Sequence, residues 1–331
     1  MMSDESTKRT RFTADSFAPI AVATRNGVDE SLHSGAGVVV DAAGDITVSV
    51  GDPELLIHPR SALKPFQASA MVSLGLDLPA PLLAVVAASH SGEQQHLDAV
   101  MEILTRHDLK LDDLANTPAR PYGAAARDEA RSAGLEPSSL QQNCSGKHAG
   151  LLATCRINGW SIDSYLDPDH PIQAAITDEI DRLAGRIGGS VADVGVDGCG
   201  APTHVMPLVD VARSLGSMQR ESSPVTAAMS AHPEMVGGTD RDVTSWMIAV
   251  PELAAKEGAA GVMVVGLRDG RAAALKVADG SDDVRRAVTP ALLRHLGIDV
   301  ETRHRSVLDS VRVKVMGHGA EVGAVNPLDW A

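Results

Sequence analysis

The chain has 331 residues, of which 44% are hydrophobic, 22% charged and only 2% aromatic, a globular balance whose core must be built from Ala, Val, Leu and Met. A formal net charge of −14 gives an acidic surface that repels phosphate backbones, and no apolar run approaches the roughly eighteen residues of a membrane span, so neither nucleic acid nor membrane is an expected partner. Three cysteines, an odd number in a long chain, do not form a disulfide framework, and a cytoplasmic location is expected.

The opening "MMSDESTKRTRFTADS" is polar, mixed in charge and without the apolar core of a secretory signal, so residues 1–17 are expected to fray ahead of one catalytic domain over 18–331. "IAVATRNG" and "SGAGVVVDAAGDITVSVGD" alternate around Asn-Gly and Ala-Gly-Asp turns, which predicts antiparallel hairpins. "SALKPFQASAMVSLGL" carries apolar residues at helical spacing, and Pro65, tolerable only in a first turn, places Ser61 at or next to the helix N-terminus. From about 68 to 235 the pattern is mainly helical, as in "EQQHLDAVMEILTRHDL", "AAARDEARSAGL", "HAGLLATCRING" and "HPIQAAITDEIDRLAGRIG". "GAAGVMVVGLRDGRAAALKVADG" then reads as a hairpin around Arg-Asp-Gly, and "DDVRRAVTPALLRHLG" as a helix. Strands at both ends with helices between them predict an α+β fold. Its antiparallel sheet is shared by the N- and C-terminal segments and flanked by helices, with the helical region inserted.

Six stretches carry candidate chemistry. In "PRSALKPFQ", Ser61 and Lys64 stand one helical turn apart, close enough for an amine to meet a hydroxyl. The lysine works as a base only if its pKa falls from ~10.4 to near 7; equally, serine is a common helix cap. "ASHSGEQQH" places Ser89 and Ser91 in a loop before a helix that begins at Glu93, as active-site groups or as caps. "QNCSGKHAG" and "VDGCGAPTH" each hold a cysteine in a glycine-bearing turn, Cys144 and Cys199, and two thiolates with a further donor would suit zinc as well as a small buried apolar site. Cys155, in "LLATCRI", reads as core. Lys276, in the apolar strand "AAALKVADG", either snorkels from the sheet edge or is the second cation that depresses Lys64. Finally, Thr239 follows glycine in "VGGTDRD", where a self-cleaving threonine hydrolase would cut.

Together, "PRSALKPFQ", "ASHSGE", "NCSGKHAG", "DHP", "DGCGAPT" and "AKEGAAGV" occur in the order found in the asparaginase II family. From about Pro19 to its C-terminus the chain resembles the thermolabile, zinc-containing L-asparaginases of the rhizobial inducible type. It departs from the family pattern at Gln142 and in "VGGTDRDVTSW", the second a stretch that could touch substrate selectivity. The resemblance implies a fold similar to serine β-lactamases and penicillin-binding proteins. There, Ser-x-x-Lys, a loop serine and a strand lysine converge; here these would be Ser61 with Lys64, Ser89 in preference to Ser91, and Lys276. It also implies a zinc held by Cys144, Lys147 and Cys199, and a homodimer. The implied reaction is hydrolysis of L-asparagine through a Ser61 acyl-enzyme with Lys64 as base. Arg60 is the candidate for a substrate carboxylate and Asp197 for its ammonium, while Ser91 and His148 are further substrate-site candidates. The alternatives are another Ser-x-x-Lys amidohydrolase, either a glutaminase or a penicillin-recognising hydrolase, or a threonine hydrolase self-cleaved at Thr239.

Overall fold

The structure is a computed structural model describing residues 12–330. Its main sheet is wholly antiparallel and runs in the order β10 (Lys314–Gly317), β11 (Ala320–Pro327), β1 (Ala18–Arg25), β2 (Val28–Val40), β9 (Ala272–Val277), β8 (Val262–Leu267) and β7 (Leu253–Gly258); β3 (Ile46–Val50) also pairs with β2. The predicted hairpins are present: β1 and β2 join through Asn26-Gly27, β2 and β3 pair from Gly37↔Val50, and β8 and β9 close around Arg268-Asp269-Gly270. The α+β architecture with a sheet shared by both ends of the chain follows the sequence expectation.

Strands β7, β8 and β9 are buried along their whole length, and apart from Lys256, Glu257 and Lys276 their residues are small or apolar without alternation. The helix Leu208–Arg220 packs on β2, β8 and β9, and the helix Asp282–His295 on β1, β2, β8, β9 and β11. The segment between the two parts of the sheet is mostly helical but also holds a small antiparallel sheet. Its strands run in the order β4 (Leu56–Ile57), β6 (Pro202–Pro207) and β5 (Asp193–Val196), two of them inside the stretch that reads as helical. Proline at both ends of β6 and a glycine in β5 obscure these strands in the sequence.

The expected frayed extension falls largely on residues 1–11, outside the described residues. Beyond them, Ala14–Ser16 forms a short 3-10 turn whose Ser16 carbonyl accepts from the Asp52 N–H, and Phe12 meets Phe17 edge to face. Among the described residues no helix is long and apolar enough to cross a membrane.

Candidate active site

Ser61 does not sit on the α-helix itself. It lies in a 3-10 turn, Arg60–Leu63, which leads into the helix Lys64–Ser73, and its side chain caps neither. Arg60 adopts φ 55°, a left-handed conformation that costs a non-glycine residue on the order of 1 kcal/mol or more. The turn is pressed against the end of β7: a Cβ on Gly258 would collide with the Pro59 carbonyl oxygen, so only glycine lets the strand approach so closely. Ser61 thereby borders a cavity of about 210 Å³ that Ser89, Asn143 and Glu257 also border.

Lys64 is buried, 1% exposed, and its amine turns away from bulk solvent. Its Nζ donates to Ala88 O at 2.5 Å, Ser89 Oγ at 3.1 Å and Asn143 O at 3.4 Å; none of these bonds reaches Ser61. The expected direct Ser61–Lys64 link is thus absent among the described hydrogen bonds, and the hydroxyl that receives the Lys64 amine belongs to Ser89. A second lysine meets the same hydroxyl. Lys256 Nζ, 0% exposed on β7, donates to Ser89 Oγ at 2.8 Å and lies 3.1 Å from Glu257 Oε1. Burial lowers the Lys256 amine; Glu257 opposes that, Lys64 and Arg241 reinforce it, and it settles at about 8.

Lys276 is not the lysine at the site. It stands on β9, two strands along the sheet from β7, and its amine donates to the backbone carbonyls of Ala260 at 2.6 Å and Val277 at 2.8 Å. Two carbonyl partners satisfy a buried ammonium without drawing it towards Ser89. The strand lysine that does reach Ser89, Lys256, had a legible signal: Lys256-Glu257-Gly258 is a strand lysine followed two places on by glycine, the K-x-G pattern that accompanies Ser-x-x-Lys. Ser91 is buried and donates to Gly237 O at 2.8 Å, tying two loops together rather than facing Ser61. Neither serine caps the following helix, Gln94–Arg106, whose N-cap is Glu93. Thr239 borders a neighbouring cavity, where its N–H and hydroxyl both donate to Glu93.

Behind the cavity the two glycine-bearing cysteine turns meet. Cys144 and Cys199 pack together with Ala201, and Lys147 Nζ lies 3.2 Å from Cys199 Sγ. Asn143 links this group to the cavity, since its carbonyl accepts from Lys64 and its Oδ1 from the Cys144 thiol at 3.4 Å. A hydrogen bond from Cys199, working against burial and with the Lys64 and Lys147 charges nearby, holds the Cys144 thiol well below the ordinary cysteine range, while that shared bond and burial push Cys199 up. Burial opposes the Lys147 ammonium, but the two sulfurs and Asp197 raise it. Among the described residues no three His, Cys, Asp or Glu side chains form a cage. The convergent set is two sulfurs and one amine, and one ready thiolate beside a second thiol fits the chemistry of a thiophilic divalent cation.

Arg60 and Asp197 meet each other. Arg60 Nε and Nη2 both lie 2.6 Å from Asp197 Oδ1, so the two candidate substrate charges are spent in one ion pair. His148 is buried, accepts from or donates to the Tyr165 hydroxyl at 2.8 Å through Nδ1, and is held well below its usual range by burial and by Lys147 and Lys64. Its Nε2 has no partner among the described residues. Sequence reading also missed Arg241, which bonds Ser89 O at 3.2 Å and Glu257 Oε1 at 2.7 Å and stacks on Tyr122 with 4.5 Å to the ring centroid. The site therefore brings Ser61, Lys64 and Ser89 together with Lys256, sets the thiol–amine group beside them, and leaves Lys276 and Ser91 outside.

Two comparisons with known proteins bear on this geometry. A family model described as L-asparaginase II matches residues 21–327 of the chain. Comparison with curated proteins found no match.

Proposed function

Because this chain belongs to the L-asparaginase II family, a family of hydrolases acting on amides, we propose that it converts L-asparagine to L-aspartate and ammonia at the cavity bordered by Ser61 and Ser89. The observation that carries the reading is the Ser89 hydroxyl held between two buried lysine amines, 3.1 Å from Lys64 and 2.8 Å from Lys256. Two ammoniums so close repel, so the pair favours a state with one proton between them.

In that state the neutral amine is the base and the charged one the acid. Ser61 Oγ attacks the side-chain carboxamide carbon, its proton passes to Lys64, and backbone N–H groups, that of Ser61 among them, hold the oxyanion. The C–N bond breaks as Lys256, through the Ser89 hydroxyl, returns a proton to the departing nitrogen. The remaining proton redistributes between the amines along the Ser89 bridge, and water cleaves the ester with a lysine again as base. A second reading, with Ser89 as nucleophile and Lys256 as base, is favoured by the 2.8 Å bond that already joins them.

Zinc belongs to the same proposal. Cys144, Lys147 and Cys199 would hold it, and when bound it supplies a Lewis acid beside the cavity. A homodimer and a cytoplasmic setting complete the reading, the latter in keeping with Cys144, Cys155 and Cys199 as free buried thiols.

Ammonia release from L-asparagine and L-glutamine, with nitrocefin turnover alongside, tests the proposal. Preference for L-asparagine is expected. Faster nitrocefin turnover would transfer the site to penicillin-type substrates, and two bands on a denaturing gel, one beginning at Thr239, would transfer it to the self-cleaving reading.

A further inference from the structure

Glu257 is a buried carboxylate with an unused side. Its side chain is 7% exposed, and Oε1 accepts from both Arg241 Nη2 at 2.7 Å and Lys256 Nζ at 3.1 Å. Its Oε2 is buried and has no hydrogen-bond partner among the described residues. A carboxylate oxygen left without a donor in a dry setting is costly, and such a group is completed by water, an ion or a bound cationic group. The group stays ionised nonetheless: burial would raise it, but Lys256, Arg241 and Arg285 bring it down to about 2. Glu257 borders the same cavity as Ser61 and Ser89, so its carboxylate stands beside the site of the chemistry.

Arg241 supplies the opposite charge. Two N–H groups of its guanidinium are used, one on Ser89 O and one on Glu257, and Tyr122 fixes the plane by stacking. The fork has five N–H donors in all, so donors remain for a planar anion. Both residues border a cavity of about 210 Å³, smaller than the usual ~300–1,000 Å³ drug-sized site and suited to a single amino acid. By contrast, Arg60 and Asp197 are closed on each other at 2.6 Å and would have to part before either could hold substrate.

We propose that Glu257 and Arg241 clamp the two α-groups of a free amino acid, Glu257 Oε2 receiving the α-ammonium and Arg241 the α-carboxylate. The clamp rests on the asparaginase reading and narrows it. An N-acylated asparagine has no ammonium to offer Oε2 and a C-terminally linked one no carboxylate to offer Arg241, so the substrate class is the free α-amino acid, with its side-chain amide directed to Ser61.

The test separates the clamp from any effect of Glu257 on Lys256. Succinamate keeps the amide and the carboxylate of asparagine but lacks the ammonium; 3-aminopropanamide keeps the amide and the ammonium but lacks the carboxylate. In Glu257→Gln, kcat/KM for L-asparagine relative to succinamate is expected to fall ~10- to 100-fold, because any change passed through Lys256 affects both substrates and cancels in the ratio. In Arg241→Met, the ratio of L-asparagine to 3-aminopropanamide is expected to fall by a similar factor. Equal losses on each pair would overturn the clamp while leaving the asparaginase reading intact. If the parent chain releases no ammonia from L-asparagine, that reading fails, and calorimetry still decides the clamp. Glu257→Gln should weaken L-aspartate binding at least ~10-fold relative to succinate, and an unchanged ratio would refute it. Should Glu257→Gln not fold, the Arg241→Met comparisons carry the test alone.

Discussion

Lys256 Nζ donates to Ser89 Oγ at 2.8 Å, joining strand β7 of the main sheet to the loop that follows the helix Ala80–Val86. The two residues are separated by 167 positions, yet both are almost wholly buried, so the bond replaces water for each of them. With Lys64 on the same hydroxyl, the contact makes one proton network out of the sheet and the helical region.

Ser61→Ala should remove turnover and spare the fold. The hydroxyl borders a cavity and caps no helix, so its loss is expected to lower kcat by ~10³-fold or more with a stability change below ~1 kcal/mol. Ser89→Ala should do both kinds of damage. It leaves two buried amines without their shared partner, and urea unfolding should show ~1–3 kcal/mol lost.

The pH profile of kcat/KM should fall as pH rises through about 8, where the Lys256 amine gives up the proton it is to return to the departing nitrogen. The sign follows from the acid role, since the charged amine is the working form and is lost above that point. Glu257 favours the charged amine, so Glu257→Gln should move this limb to lower pH, and a limb that stays in place would disconnect Lys256 from the rate.

Zinc should bind one per chain and depend on all three donors. Metal content after dialysis is expected to fall to background in Cys199→Ala, and to fall in the native chain as pH is lowered, because protons compete for both thiolates and for the Lys147 amine. Equal zinc in the native chain and Cys199→Ala would remove the metal from this site.

The ion pair Arg285–Asp242 joins the helix Asp282–His295 to the helix Asp242–Ala249, with side chains 1% and 2% exposed. Asp242→Asn strands a buried guanidinium that keeps only the half-exposed Asp282, and a loss of about 3 kcal/mol in urea unfolding is expected. A loss under ~1 kcal/mol would show that water reaches the pair.

Much of this architecture is legible in the sequence because its signals are local. Asn26-Gly27 and Arg268-Asp269-Gly270 mark hairpins through turn chemistry, and Ser61 and Lys64 announce themselves by spacing. The choice between Lys256 and Lys276 is not local. Both stand in buried apolar strands, and only the order β9-β8-β7, with Gly258 pressed on Pro59, decides which strand abuts the Ser61 turn. The pairing of Arg60 with Asp197 spans 137 positions and likewise depends on how the small sheet folds back. That Glu257 Oε2 meets no donor among the described residues depends on packing alone.

The most direct measurement is rapid quench of the chain with L-asparagine, followed by intact-mass analysis and peptide mapping. The account predicts an aspartyl ester on Ser61, accumulating where deacylation is slowed and absent in Ser61→Ala. An ester on Ser89, or full turnover by Ser61→Ala, would contradict it.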